Sequence, residues 1–486
     1  TRTIRKCRSV GGDLELDAWE EPHGPGASEI KAGLYTSDWG FLQENPDLSC
    51  PDVWKRLVLP PVPVPIGDLD QLISHLKNAV PGEVQSLVLE SGRPAEHGKW
   101  PAWAAKLGLT LRHRPYRHQV EALGHIHAGH HVAISTGTAS GKSICYMLPI
   151  VKATLEHPKT RTLYVAPAKA LCDDQLTAWR RLLTGDDQFQ GQEAPTFTGS
   201  VGGQKITVIR YDADVKDLVK DSKSSAHVIL TNPPMLHWML ARWRDWPELF
   251  EGLRFVVLDE IHQANGIRGA NLAWLMRRLR RIAHHANPES PSPQFVCCSA
   301  TIANPDQLAG QIIGDGCEVK VVDTDTSEHA QRIHLSWPPP VLKHGSRRGT
   351  VVLDLVKALL ARPKDGEANK TDAHQTIVFH RSRGEANQTA RYQAKQFVHE
   401  GRDDLAGTLR IFMAPLTFAA RRAILEDLRD GSCLGVFATS ALELGIDIGD
   451  LSAAIILGIP HGRPSYRQMG GRVGRRSPAI VVYVPR

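Results

Sequence analysis

The chain has 486 residues, 42% of them hydrophobic and 23% charged, with 58 Lys plus Arg against 52 Asp plus Glu. That composition excludes a wholly disordered chain, and the length allows about three domains. The surplus of +6 permits a polyanionic partner without requiring one.

Nothing in the sequence reads as a membrane span of about 18 apolar residues. The basic start TRTIRKCRSV has no apolar stretch behind it, so a secretory signal is not expected. The expected location is cytoplasmic, nucleoid-associated in a bacterium. Eight cysteines are scattered without a C-x-x-C pair, which argues against a zinc ribbon or a redox pair and for a reducing compartment. The chain begins without Met and stops straight after its last apparent strand, which reads as a trimmed start and a truncated or missing tail.

Residues 1–108 are rich in Pro, Gly and Trp and are read as an N-terminal accessory region. Within it "LPPVPVPIGD" (59–68) reads as an extended connector. "LDQLISHLKNAV" (69–80) places Leu69, Leu72, Ile73, Leu76 and Val80 on one helical face. From 109 onward short Val- and Ile-rich runs alternate with helical patterns: "HVAIST", "RTLYVAP", "KITVIRY", "AHVILTNP", "RFVVLDE" and "QFVCCSAT". That texture predicts buried parallel strands with crossover helices. The polar, Gly-rich stretch 184–204 is read as a loop insertion. A second set follows the Pro-rich break at 336–349: "QTIVFH", "LRIFMA", "LGVFATS", "AAIILG" and "AIVVYVP". The fold class is α/β, with two tandem parallel-sheet domains, 109–335 and 336–486.

"STGTASGKS" (135–143) lies between a strand and a helix, the context of a phosphate loop. Backbone N–H groups from Gly137 through Thr138, Ala139, Ser140, Gly141 and Lys142 to Ser143 would ring a β-phosphate at the positive end of the helix. Lys142 would bridge the β- and γ-phosphates of ATP, and the Ser143 hydroxyl would ligate Mg²⁺. One departure stands out: Thr136 occupies the place of the first glycine of the strict pattern. "LRFVVLDEIH" (253–262) carries a strand into Asp259 and Glu260. Asp259 is read as the second Mg²⁺ ligand and Glu260 as the base that polarises the attacking water.

The ordered set "YRHQ", "TGTASGKS", "APAKAL", "TNP", "DEIH", "SAT", "VFHRSR", "ATSALELGIDI" and "QMGGRVGRR" resembles superfamily 2 helicases over about residues 110–486. Within them it looks most like the MrfA/Hrq-type, RecQ-related 3′-to-5′ DNA helicases, with the Lhr type more distant. The resemblance implies two RecA-like domains, a nucleotide held between them, and movement on single-stranded or forked DNA in repair, related processing or defence. It implies an adenine-reading role for Tyr116, Arg117 and Gln119. Ser299, Thr301 and Gln468 are implied as coupling residues, the two hydroxyls bonding the DEIH carboxylates. Arg472 and Arg475 resemble arginine fingers, with Gly445 and Asp447 positioning them. Strand contacts are implied at Pro167 through Lys169, Thr231, Asn232, Arg381, Ser382, Thr439 and Ser440.

Ala168 replaces the Thr or Arg usual in relatives. No cysteine cluster matches the C-terminal metal site of MrfA/Hrq-type proteins, so metal binding there is not expected. The motifs do not distinguish DNA from RNA, which keeps an RNA or RNA:DNA helicase open. A non-unwinding ATP-dependent clamp that recruits a protein partner through the N-terminal region also stays open. The basic helix pattern at 270–286 is read as a core-packing helix with a solvated basic face. His125, His127, His130 and His131 are read as a surface turn, and Cys297 and Cys298 as buried structural thiols.

Overall fold

In the computed structural model, residues 2–8, 14–22, 28–36 and 41–44 are described as strands. From residue 66 onward all residues are described except 112, 138–139, 187–193, 301, 315–316, 343–344, 347, 361, 364–370, 414–415, 417, 440–450, 459, 461, 476 and 486. The chain divides into two compact units. One is centred on Arg93–His329. The other combines Thr1–Gly92 with Ala330–Glu443 and Ile448–Arg486.

The four N-terminal strands, β1 (Arg2–Arg8), β2 (Leu14–Pro22), β3 (Ser28–Thr36) and β4 (Phe41–Glu44), pair in sequence order as an antiparallel sheet. The strand β5 (Ser86–Glu90) follows a helix at Leu69–Ala79. The Arg93–His329 unit is built on β6 (His131–Ser135), β7 (Arg161–Val165), β8 (Thr196–Val201), β9 (Gln204–Arg210), β10 (Val228–Thr231), β11 (Leu253–Leu258), β12 (Gln294–Ser299) and β13 (Val319–Val322). The order across this sheet is β13-β6-β12-β11-β7-β10-β9-β8. Every pair is parallel except β8 with β9. The central strands β7, β10 and β12 are buried along their whole length, which is why they read as unbroken apolar runs.

The other unit carries β14 (Arg332–Ser336), β15 (Thr376–Phe379), β16 (Leu409–Phe412), β17 (Gly435–Ala438), β18 (Ala453–Leu457) and β19 (Ala479–Val484). Their order is β16-β17-β15-β18-β19-β14-β5, with only β5 antiparallel.

Two expectations need correction. The stretch 184–204 is not loop throughout: β8 pairs with β9 across Gly202 and Gly203, whose φ angles are +56° and +81°. Two consecutive left-handed residues make the tight hairpin that glycine alone forms cheaply. The second correction concerns boundaries. The Leu69–Ala79 helix and β5 belong to the C-terminal unit: Leu72 and Leu76 share a core with Ile455 and Val482. Ala104 and Leu107 instead pack with the phosphate-loop unit. The chain changes unit at 329/330 rather than at 335, because Arg332–Ser336 is itself a sheet strand.

Trp337 anchors that C-terminal core. It is fully buried, and its indole Nε1 donates to the Pro81 carbonyl at 3.1 Å. Trp337→Ala is expected to cost about 3–5 kcal/mol, read as a lowered denaturation midpoint of this unit.

Candidate active site

Parallel strands deliver their carboxyl ends to one edge, where open α/β sheets bind ligands. Thr136 follows β6, Pro167 follows β7, Thr231 ends β10, Asp259 follows β11 and Ser299 ends β12. Thr138, Ala139, Thr301, Ser440, Gly445 and Asp447 lie outside the described residues.

The phosphate loop is pinned from outside. Gln119 Nε2 donates to the carbonyls of Ser140 (3.3 Å) and Gly141 (3.1 Å), while its Oε1 accepts from Tyr116 N at 2.9 Å. His118 Nε2 donates to the same Ser140 carbonyl at 2.9 Å. A trans peptide points its C=O and the following N–H in opposite directions. Carbonyls drawn toward Gln119 and His118 therefore turn the N–H groups of Gly141 and Lys142 the other way, into the loop. Gly141 sits at φ +75°, and a Cβ there would collide with Gln119 Nε2, so only glycine fits.

His118 is held in turn. Because Nε2 donates to a carbonyl, Nδ1 accepts, from Thr326 Oγ1 (2.8 Å) and Thr326 N (3.2 Å). Burial, with the Lys142 charge helping, lowers its pKa and keeps it neutral. Beside Thr326, Asp325 Oδ2 accepts the Gly137 N–H at 2.9 Å. Burial works against the Asp325 carboxylate. Hydrogen bonds from His329 and Ser327 still hold its pKa well below the usual range, and Arg93 lies 3.3 Å from Oδ1.

Thr136 is fully buried and bonds Ser140 Oγ at 2.6 Å; Ser140 Oγ donates on to Gly137 O at 2.9 Å. The Thr136 backbone stays out of the left-handed region, so a threonine stapling the stem can stand where the strict pattern has glycine. Lys142 Nζ donates to the carbonyls of Thr136 (3.0 Å) and Gly137 (2.7 Å). Those contacts park the ammonium at the mouth of the loop. The Ser143 hydroxyl accepts from Gln175 Nε2 at 3.2 Å, and Gln175 Oε1 accepts from Tyr146 Oη at 2.6 Å.

Asp259 is half-buried, and Tyr164 Oη donates to its Oδ2 at 2.5 Å. Burial first, then the neighbouring Glu260 charge, push its pKa up to about 6, against the Tyr164 bond and the Lys142 charge. A carboxylate so disfavoured gains most from a cation. Asp259 and Ser143 Oγ are hard-oxygen donors of the kind that would hold Mg²⁺. Glu260 is the one non-glycine residue at positive φ (+52°) among those described. Its Oε2 lies 3.3 Å from His262 Nδ1, and such backbone conformations concentrate at working sites.

Several assignments change. The Tyr116 ring stacks with His97 at 5.3 Å and with His118 at 5.6 Å. The Gln119 amide is engaged with the phosphate loop in place of a base, and Arg117 faces Glu96 at 3.6 Å. Ser299 Oγ donates to Ala300 O (2.7 Å) and lies 3.4 Å from His262 Nδ1. It meets the carboxylate pair through His262, not directly. Thr231 Oγ1 donates to Tyr211 O at 2.7 Å, and Asn232 Oδ1 caps the Pro233–Ala241 helix at Met235 N. Both side chains serve the fold. Lys169 pairs with Asp214 at 2.6 Å, and Pro167 is exposed.

In the other unit Ser382 caps the Arg383–His399 helix, Arg381 is exposed and Thr439 is buried. Gln468 and Arg472 are buried and Arg475 is half-buried, all at or just after the Arg463–Gly470 helix. The basic helix spans Gly266–Ala286 and buries Leu275, Met276, Leu279 and Ala283. Cys297 and Cys298 are both buried. His118, Tyr164, Gln175, His262 and Asp325 were missed by motif reading. Only His118 and His262 sit inside motifs, and there as spacers.

The site geometry agrees with what the chain resembles. A family model described as DEAD/DEAH box helicase matches residues 116–308, and one described as helicase conserved C-terminal domain matches residues 352–477. The chain belongs to the superfamily 2 helicases of the Hrq/MrfA type.

The ATP-dependent helicase hrq1 of Schizosaccharomyces pombe is 32% identical over 376 residues, covering 76% of this chain and 33% of that protein. The uncharacterized ATP-dependent helicase YprA of Bacillus subtilis is 33% identical over 369 residues, covering 74% and 44%. A crystal structure of the DUF1998 helicase MrfA bound to DNA and AMPPNP superposes with a TM-score of 0.73 at 30% identity, over 86% of this chain and 55% of that one. The chain thus spans between a third and just over half of these relatives. The two parallel-dominated sheets are the tandem RecA-like domains of the family. Among the described residues no helix is long and apolar enough to cross a membrane.

The strap at 325–326 generates a prediction. Asp325→Ala frees the Gly137 N–H, and Gly137→Ala would put a Cβ 2.6 Å from Asp325 Oδ2. Each is expected to weaken binding of a fluorescent ATP analogue about tenfold, since a hydrogen bond to a charged group contributes about 1.5–3 kcal/mol.

Proposed function

We propose that the chain is the motor of an ATP-dependent DNA helicase that moves 3′-to-5′ on single-stranded DNA in repair or related DNA processing. The observation that carries this reading is the phosphate loop, pinned with the N–H groups of Gly141 and Lys142 turned inward, on the same sheet edge as the Asp259–Glu260 pair. The loop and Lys142 bind the phosphate chain. Glu260 takes the proton of the attacking water as its oxygen bonds the γ-phosphorus and the bond to the bridging oxygen breaks. Ser143 and Asp259 would hold Mg²⁺, which would supply charge neutralisation for the phosphate chain. Arg472 and Arg475 carry the arginine-finger role.

The choice of DNA is supported by MrfA, whose solved complexes contain it. Strand contacts by Pro167 to Lys169, Arg381, Ser382 and Thr439 go to phosphates and sugars, which suits a motor that must ignore sequence. Gly445, Asp447 and Ser440 belong to the same reading.

The test is unwinding of forked DNA with either a 3′ or a 5′ loading tail, beside ATPase stimulation by DNA and by RNA. Unwinding confined to the 3′-tailed fork is expected; 5′-tailed unwinding or RNA-only stimulation would overturn the assignment. Lys142→Ala is expected to abolish turnover, and Glu260→Gln to keep nucleotide binding while stopping hydrolysis, both read by steady-state ATPase and analogue titration. The double variant Arg472→Ala with Arg475→Ala should lower kcat by roughly 10³-fold with nucleotide affinity changed far less.

A further inference from the structure

The Gly266–Ala286 helix is not accounted for by the nucleotide site. Its inner face is core. Its outer face repeats at positions 267, 271, 274, 278, 281 and 285, spacings of four and three that line one side of a helix. Ile267 is 81% exposed and Trp274 67% exposed. Trp274 is the only tryptophan among the exposed large hydrophobics of the described residues. An indole left in water is apolar surface that packing within the unit has not used.

Charge on this face is one-sided. Between Glu260 and Glu289 there is no carboxylate, while Arg268, Arg277, Arg278, Arg280 and Arg281 all fall in that interval. Of these, Arg280 donates to the Ile313 carbonyl. The neighbouring Pro233–Ala241 helix and the turn after it extend the patch. Arg278 lies 3.4 Å from His237, and the Trp243 ring meets His285 edge-on at 5.4 Å. Guanidinium groups cover indole faces here, Arg242 over Trp238 at 4.5 Å and Arg244 over Trp243 at 4.8 Å. Arg277 lies 5.8 Å from the Trp274 centroid.

The Gly266–Ala286 face carries an indole and guanidiniums with no carboxylate of its own, Asp245 lying in the adjoining turn, and it fits a single-stranded nucleic acid, with bases to stack and phosphates to pair. A protein partner would more often bring carboxylates to meet; a strand brings a phosphate at every step. From Ile267 to His285 the stripe runs about 27 Å at the rise of an α-helix, long enough for several nucleotides. The Pro233–Ala241 helix, capped by Asn232, adjoins the patch through the Arg278–His237 contact. We infer that this Trp/Arg face is a second single-strand binding surface, with Trp274 as the stacking residue and Arg278 and Arg281 as phosphate contacts. The inference rests on the nucleic-acid reading above and adds a site to it.

The experiment uses the full chain and a fluorescein-labelled oligothymidylate, titrated at several salt concentrations. Trp274→Ala is expected to weaken binding about tenfold, with Trp274→Phe restoring most of it, since any aromatic face stacks. Arg278→Glu with Arg281→Glu is expected to weaken binding at least as much. It should also flatten the slope of log affinity against log salt by about 1.4, about 0.7 for each phosphate contact on a single strand. ATP hydrolysis without nucleic acid should stay at the wild-type level, because none of these residues touches the phosphate loop. Wild-type affinity and salt slope in the variants would overturn this inference alone. Failure of the unaltered chain to bind any single strand would overturn it together with the helicase reading.

Discussion

The outward pull on two peptide carbonyls, Ser140 and Gly141, is the contact on which the nucleotide site depends. A Gly-rich turn has many conformations, and only those with N–H groups turned inward can receive a polyphosphate. Gln119 and His118 select among them by bonding the carbonyls on the far side. Each is itself immobilised, Gln119 by Tyr116 N and His118 by Thr326. The Arg117–His127 helix therefore acts as a jig for the loop. Its buried Ala122, Leu123 and Ile126 tie it to the core beneath β6, so the core holds the jig and the jig holds the loop.

The chemistry then follows from burial. Strand β11 is apolar to its last residue, and the chain emerges from it directly into two carboxylates. Asp259 stays in that low-dielectric setting and is reluctant to ionise. Glu260 is buried beside it, its backbone in the left-handed region and its Oε2 3.3 Å from His262 Nδ1. His262 also lies 3.3 Å from the Ala300 N–H and 3.4 Å from the Ser299 hydroxyl. A rearrangement at the carboxylates can therefore reach the end of β12 through one imidazole.

The sequence was most legible where one physical demand dominates. Central parallel strands must be apolar on both faces, so all eleven runs picked out by composition are strands. A phosphate loop needs glycine and lysine at set places, so its position was plain. Edge strands escape that demand. β5 has every residue exposed and β13 only one buried, and neither carries enough apolar signal to stand out. β8 was hidden by composition, although its Gly202–Gly203 turn was a usable hairpin mark. The functional residues that were missed act across long separations, such as Asp325 on Gly137 and Tyr164 on Asp259. No local pattern encodes such pairs. Tyr116 and Gln119 lie in a motif that was legible, while their contacts with His97, His118 and the phosphate loop were not.

Net charge was the least informative number, and the reason is spatial. A surplus of +6 over 486 residues describes an average. Binding depends on potential over a few ångströms, because salt screens exposed charge beyond about 10 Å. The interval from Glu260 to Glu289 concentrates five arginines with no carboxylate between them, while acidic residues elsewhere dilute the total. The two kinds of surface also answer to different physics. The motif positions proposed for strand contact offer hydroxyls, amides and backbone, and several are already engaged in the fold. Such contacts are short-ranged and reset easily, as a stepping motor requires. An Arg/Trp face holds by charge and stacking, and tolerates sliding of whatever sequence passes over it.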